Sequence, residues 1–322
     1  MPNKSYAQAM LDGILYSFET DPTTRVIGPS FAQGRGTPET QEAFFGTYGD
    51  RVMQPPISEG VIASVGAGAA MAGLRPFVNF GTATFAFEAM NQIVSEAGNA
   101  HFMSGGQMTA PVIYHMFAGL RGGGGPQHST SPQSLYANCP GLQLVLPASP
   151  ADIQGLIRTA FKGANPTVIV NHTKLMGLQG EVPEGDFDIP FGVADVKREG
   201  RDVTVVATSL MVVRALEAAE ELAADGIDAE VVDPRTIVPL DRETILASVA
   251  KTGRLVAVDE AGGTCSIASE IVALTAEAGL ALKAPPVRIT RPDVPVAFSP
   301  PLEDKVSPGA EEIAQAVRKA MG

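Results

Sequence analysis

Apolar and polar positions fall into short blocks along the chain, and the blocks predict strands separated by helices. Residues 4–19 place Ala7, Met10, Leu11, Ile14, Leu15 and Phe18 on one side at helical spacing. Asp21-Pro22 ends that helix, residues 25–28 read as a short strand meeting a turn, and 31–36 as a loop. Thr37-Pro38-Glu39 has the cap-then-proline form of a helix start. Residues 75–80 predict an apolar strand, and 85–102 a helix ended by Ser104-Gly105-Gly106. Residues 110–116 predict a buried strand running into a glycine-rich loop at 119–128. A strand at 142–147, a helix at 150–162 and a strand at 167–170 continue the alternation. Between 174 and 200 the periodicity lapses into Gly, Pro and acidic residues, as in a linker. Strands at 202–208, 229–233, 255–259 and 287–290 then alternate with helices at 211–224, 242–251 and 266–278. Such alternation predicts parallel sheets covered by helices. The expected fold is α/β: a doubly wound parallel-sheet domain over 1–175, a linker over 176–199 and a smaller α/β domain over 200–322. No solenoid-period repeat or low-complexity tract interrupts it.

Residues 52–73 organise this pattern. Pro55-Pro56 bars helix by fixing φ and restricting each preceding residue. Ser58 stands at a cap position and Glu59 in the first turn. From Gly60 to Leu74 there is no charge, only Ala, Gly, Val and similar residues. Small residues on all sides predict a buried helix closely approached by other backbone. A carboxylate held out of water at its mouth is more easily protonated, which suits proton transfer. The plainer alternative is a glutamate complementing the helix dipole.

Composition narrows the function classes. With 45% hydrophobic and 18% charged residues, the 322-residue chain reads as globular and long enough for two domains. A net charge of −12 argues against nucleic acid or anionic membrane as partner. Cys139 and Cys265 form no Cys-x-x-Cys pair and, with no leader visible, read as reduced thiols of a cytoplasmic protein. No apolar run is long enough for a membrane span.

Several familiar sites are missing. Gly66-Ala-Gly68 begins like a dinucleotide fingerprint, but Met71 breaks it and the glycines lie inside a helix. The loop at 121–128 lacks the Gly-Lys-Ser/Thr of a phosphate loop, and no Gly-x-Ser-x-Gly elbow occurs. His101, His115, His128 and His172 are not at metal-ligand spacing. His128 follows four glycines and a proline on a loop after a strand, where ligands of open parallel sheets gather. It is a candidate proton shuttle, against the alternative of a surface histidine without a role. His115, inside an apolar strand, reads as packed. Phe85 and Phe87 could stack on a planar ring, although such aromatics are more often core.

The ordered motifs Pro56-Ile57-Ser58-Glu59, Asn91-Gln92-Ile93, Met103-Ser104-Gly105-Gly106-Gln107, Gly125-Pro126-Gln127-His128-Ser129, Cys139-Pro140-Gly141-Leu142 and Ser299-Pro300-Pro301-Leu302-Glu303 span the chain. Together they resemble the β subunit of thiamine-diphosphate-dependent 2-oxo acid dehydrogenases, the decarboxylating component of pyruvate, branched-chain and acetoin dehydrogenase complexes. The resemblance implies a transketolase-like pyrimidine-binding domain followed by a transketolase C-terminal-like domain used in assembly. It also implies a heterotetramer of two α and two β chains, in which the α subunit holds Mg²⁺ and the diphosphate. Glu59 matches the glutamate that hydrogen-bonds the aminopyrimidine ring and promotes the tautomer that takes the C2 proton. Phe85 matches the aromatic stacked on that ring, Ile57 its apolar wall, and His128 the histidine facing substrate. A structural K⁺ in relatives would here take backbone carbonyls of Val112, Ala160, Phe161, Gly163 and Asn165.

The implied reaction is oxidative decarboxylation of a 2-oxo acid, or acetoin cleavage, with acyl transfer to a lipoyl carrier on an acyltransferase core. The rivals are a split transketolase-like lyase or carboligase that does not use lipoate, and a noncatalytic assembly subunit. The chain departs from the family at Gly28-Pro29-Ser30, where relatives often carry an acidic pair. It departs again at Asn138, where they carry His, and at His115, where they carry Arg.

Overall fold

The computed structural model describes residues 1–322, apart from the side chain of Pro29. Contacts divide the chain into two compact units, one of Met1–Ala118 with Leu135–Phe191 and one of Gly119–Ser134 with Gly192–Gly322. The glycine-rich loop thus belongs with the C-terminal half, whereas continuous alternation had placed it in the first domain.

From Met1 to Phe191 the chain forms β1 (Asn3–Ser5), α1 (Tyr6–Thr20), β2 (Thr24–Ile27), α2 (Pro38–Glu42), β3 (Val52–Met53), α3 (Glu59–Met71) and β4 (Arg75–Thr82). It continues through α4 (Ala100–Met103), β5 (Ile113–Ala118), α5 (Gln133–Ala137), β6 (Gln143–Val145), α6 (Pro150–Lys162), β7 (Thr167–His172) and β8 (Gln179–Glu181). The first unit's sheet has the order β6-β7-β5-β4-β2-β3, with each neighbouring pair parallel. Its inner strands are near-continuously apolar because both faces are covered; all six residues of β7 are buried. Local chemistry sets the helix starts: Ser149 accepts from the Asp152 amide ahead of Pro150, and Thr37 accepts from Thr40.

Beyond Phe191 come β9 (Asp195–Arg198), β10 (Val203–Ala207), α7 (Leu210–Ala224), β11 (Ala229–Asp233), β12 (Thr236–Val238) and α8 (Arg242–Thr252). The chain ends with β13 (Leu255–Gly262), α9 (Ile267–Glu277), β14 (Val287–Arg291), α10 (Pro300–Asp304) and α11 (Ala310–Met321). The second unit's sheet runs β14-β13-β10-β11-β9, parallel except for β9 against β11. Among the described residues no helix is long and apolar enough to cross a membrane.

Several expectations are corrected. Ser58 holds the N-cap position of α3 but its side chain makes no capping bond. That helix is buried on one face only: Ile62, Ala63, Gly66, Ala67 and Ala70 face inward, while Val61, Ser64, Val65 and Gly68 are exposed. The inward small residues serve a close seat on the sheet, since a Cβ on Gly66 would lie 2.4 Å from Val78 Cγ2. Residues 85–102 are not one α-helix but a 3₁₀ turn (Phe85–Ala89), a π-wound stretch (Asn91–Gly98) and α4. Apolar spacing over so few turns does not distinguish these windings, which tertiary contacts select. The stretch 176–199 carries β8, paired with β1, and β9. Neither α10 nor α11 was anticipated.

His115 is packed, as its apolar strand implied. Asn79 Oδ1 accepts from His115 Nδ1 (2.9 Å) and from the Gly81 amide, while Asn79 Nδ2 donates to Gly28 O. On the other side Asn171 Oδ1 accepts from Tyr6 OH (2.8 Å), so its Nδ2 donates to His115 Nε2 (2.9 Å). These partners fix a neutral imidazole protonated on Nδ1. Burial, with a smaller contribution from the Arg35 charge, pushes its pKa down to about 3.

The folded state therefore refuses a proton that the unfolded chain accepts below about pH 6.5. Stability should fall as pH drops through that value and keep falling towards pH 3. Between pH 7 and 5 the loss from this one group is about 2 kcal/mol. Urea unfolding of His115→Gln, which keeps a donor and an acceptor without titrating, should show a correspondingly shallower pH slope. An equal slope in both proteins would contradict the assignment.

Candidate active site

Glu59 is the first residue of α3, and its side chain is 8% exposed. Pro55-Pro56 keeps the approach extended, and the chain turns into helix only after Ser58. A second segment closes on it. β4 ends at Thr82, the Ala83 amide donates to Phe117 O (2.8 Å), and the backbone then winds into the 3₁₀ turn that begins at Phe85. In such a turn residues three apart share a face, which sets Phe85 and Glu88 side by side.

Together these segments line a cavity of about 380 Å³, bounded by Ile57, Glu59, Thr84, Phe85 and Glu88. Ile57 is 90% exposed and Phe85 40% exposed. Phe85 and Phe87 are thus not core residues, which corrects the more common expectation for such aromatics. The cavity offers an aromatic face, an apolar flank and one carboxylate largely out of water. It suits a planar ring that can stack and exchange a hydrogen bond or a proton at its edge. Thr84 and Glu88 escaped the sequence reading because no local signal shows that residues 84–88 fold back onto the start of α3.

His128 is not among the residues lining that cavity; it lies half-buried in the loop Gly119–Ser134 of the second unit. Its amide donates to Gly125 O (3.3 Å). The loop is held by carboxylates. The Gly122 and Gly123 amides donate to Glu303 Oε1 and Oε2 at 2.6 and 2.7 Å. Glu260 Oε2 accepts from the Leu120 amide (3.3 Å) and Ser131 Oγ (3.0 Å). Asp259 Oδ1 accepts from Gln133 Nε2 (2.6 Å), and burial raises the Asp259 pKa.

The other histidines are accounted for locally. His101 Nδ1 meets Met108 O at 2.9 Å, and His172 Nδ1 accepts from the Lys174 amide. Among the described residues no group of three or more His, Cys, Asp or Glu side chains could hold a metal ion. The carbonyls considered for K⁺ lie around the C-terminal end of α6 and the entry to β7. Val112 O accepts from the Thr167 amide, Ala160 O from the Gly163 amide and Asn165 O from Thr167 Oγ1. Gly163 O accepts from the Arg75 guanidinium. At the departure named for Gly28-Pro29-Ser30, Pro29–Phe31 forms a 3₁₀ turn with Ser30 exposed; the Pro29 side chain lies outside the described residues.

Comparison with known proteins gives the same outline. Residues 3–179 match the model of the transketolase pyrimidine binding domain, and residues 192–313 that of the transketolase C-terminal domain. The chain is 40% identical to the acetoin:2,6-dichlorophenolindophenol oxidoreductase subunit beta of Cupriavidus necator, covering 97% of this chain and 96% of that protein. It is 38% identical to the 2-oxoisovalerate dehydrogenase subunit beta of Bacillus subtilis, over 97% of this chain and 98% of that one. A solved structure described as a split gene transketolase, inactive beta4 tetramer, superposes with a TM-score of 0.80 at 26% identity, covering 98% of each chain.

An apolar side chain as exposed as Ile57 contributes little to folding. Ile57→Ala should therefore leave the urea-unfolding free energy within about 0.5 kcal/mol of the parent. A loss above about 1.5 kcal/mol would mean that Ile57 is packed rather than presented at the cavity.

Proposed function

This chain belongs to the transketolase-type β subunits of 2-oxo acid and acetoin dehydrogenases, and we propose that it supplies the aminopyrimidine half of a thiamine diphosphate site completed by an α subunit. The reaction is oxidative decarboxylation of a 2-oxo acid, or cleavage of acetoin, with acyl transfer to a lipoyl carrier. The observation that carries this reading is Glu59, nine-tenths buried, opening onto the same cavity as the exposed faces of Phe85 and Ile57. The residues present fit an aminopyrimidine: an aromatic to stack on, an apolar flank, and a carboxyl group to share a proton with a ring nitrogen.

When bound, the cofactor supplies a nucleophilic carbon and an electron sink. The chain's own residues bind and orient. Phe85 stacks on the ring and Ile57 covers its edge. Glu59 shares a proton with a ring nitrogen, a role for which water exclusion strengthens the bond. His128 holds a proton towards the substrate. Mg²⁺ and the diphosphate belong to the α subunit, in a heterotetramer of two α and two β chains that docks on a lipoyl acyltransferase core. Residues 1–175, apart from the loop at 119–134, act as the pyrimidine-binding domain, 176–199, with β8 and β9, as the connector, and 200–322 as the assembly domain. Cys139 and Cys265, neither in a disulfide, suit the cytoplasm.

Purification with a co-encoded α subunit, followed by a panel of 2-oxo acids, acetoin and sugar phosphates with and without a lipoyl carrier, tests the reaction. Turnover of sugar phosphates that ignores the carrier would instead establish the split transketolase-like lyase.

Glu59→Gln in the assembled enzyme is the sharpest check on the site. Gln keeps the size and can still donate a hydrogen bond to the ring nitrogen, but it does not titrate. Activity should fall by about 10²–10⁴-fold, and hydrogen–deuterium exchange at the cofactor C2 should slow in parallel. Unchanged exchange would leave Glu59 as a helix-start carboxylate only.

The same reading places K⁺ at the carbonyls of Val112, Ala160, Phe161, Gly163 and Asn165. Each carbonyl oxygen has a second lone pair to offer, although the Arg75 charge at Gly163 O works against a second cation. KCl should then raise the melting temperature more than NaCl at equal ionic strength, because an ion bound only by the folded state stabilises it. Superimposable melts in the two salts would remove the site.

A further inference from the structure

We propose that Glu303 is a positioning residue for His128, acting through the backbone of the glycine loop. The inference rests on the reading of His128 as a group that faces substrate. Glu303 is fully buried, and its two carboxylate oxygens receive the amides of consecutive residues, Gly122 and Gly123, from 181 and 180 positions away in the chain. Bonds of 2.6 and 2.7 Å to an ionised acceptor are of the short, charge-assisted kind. Gly122 and Gly123 have φ of +85° and +106°, a conformation that other residues adopt only under strain. Successive amides turned to one side in this way make a concave anion site, here filled by the protein's own carboxylate.

The surroundings fit a built contact. Pro300 and Pro301 start α10, whose fourth residue is Glu303, and the Glu303 amide donates to Ser299 O (2.9 Å). A Cβ on Gly123 would lie 3.1 Å from Phe298 O, and one on Gly125 would lie 2.4 Å from the Phe298 ring. The loop therefore sits against the segment that leads into α10. Arg121, at the loop's base, places an opposite charge near Glu303, which offsets part of the cost of burying the carboxylate.

Four consecutive glycines bring no side chains to pack, so this loop depends on its backbone anchors for a single conformation. Glu260 anchors both stems, at Leu120 and Ser131. Glu303 anchors the glycines that follow the first stem, and His128 comes five residues after Gly123. Without Glu303 two amides lose their acceptor and the histidine is presented by a loop free to spread.

The test uses the assembled α/β holoenzyme and the variants Glu303→Gln, Glu303→Asp, His128→Ala and Glu303→Gln/His128→Ala. Gln offers one acceptor oxygen and turns an NH₂ towards the second amide, whereas Asp keeps both oxygens on a shorter stem. Hydrogen exchange of the peptide covering residues 119–131 should quicken at least tenfold in Glu303→Gln and by less in Glu303→Asp. In Glu303→Gln kcat should fall at least tenfold, with cofactor affinity within twofold of the parent. In the His128→Ala background the same change should alter kcat less than twofold, since there is no histidine left to misplace. Exchange at the parent rate in both Glu303 variants overturns the proposal, and so does a kcat loss that multiplies fully in the double variant. If Glu303→Gln does not assemble, Glu303→Asp decides on the same exchange and kcat criteria. Full activity in His128→Ala would overturn the role of His128 itself. Exchange would still show whether Glu303 orders the loop, so the two failures are separable.

Discussion

The close seat of α3 on β4 is the contact from which the candidate site follows. Gly66 leaves no room for a side chain against Val78, and Ala63, Ala67 and Ala70 keep the same inner face low. A helix that lies this near the sheet carries its first residue inward as well, so Glu59 is largely removed from water although Ile57, two residues earlier, is almost fully exposed. Apolar burial supplies the drive but no direction. Direction comes from Pro55-Pro56, which holds the approach extended, and from the turn at 85–89 that closes the cavity opposite.

Two buried polar clusters, one in each unit, show different ways of satisfying polar groups away from water. In the first, His115 is kept neutral between two asparagines, so four secondary elements are tied together without burying a charge. In the second, three buried carboxylates serve as acceptors for several donors each. Glu230 takes bonds from Ser248, Lys251 and the Gly200 amide, Asp259 from Gln133, Ala261 and Ile267, and Glu303 from two glycine amides. Several donors on one carboxylate offset its desolvation, which a single neutral partner would not. Carboxylates of this kind can hold a loop that has no side chains of its own to pack.

Much of this is legible in the sequence. The ends of α6 follow from Ser149-Pro150 and Lys162-Gly163, because capping and proline chemistry act within a few residues. The parallel strands follow from apolar runs between helical stretches, and Glu59 stands out as the one charge before a long neutral segment. The winding of 85–102 was not legible, since an apolar residue every three or four positions fits α, 3₁₀ and π alike. Nor was the exposure of Phe85, because the same aromatic in the same local sequence serves equally as core.

Sequence by itself determined the α/β alternation, the family and the residue types at the site, because each of these is written in local order: period, cap, turn and motif. Tertiary structure alone decided that Thr84 and Glu88 join Glu59 at one cavity, that α3 keeps an exposed face, and that residues 119–134 belong with the C-terminal half. These depend on contacts between positions from 12 to 181 residues apart. No periodicity encodes such pairings, since they arise only when apolar surfaces have chosen their partners and buried amides must find acceptors.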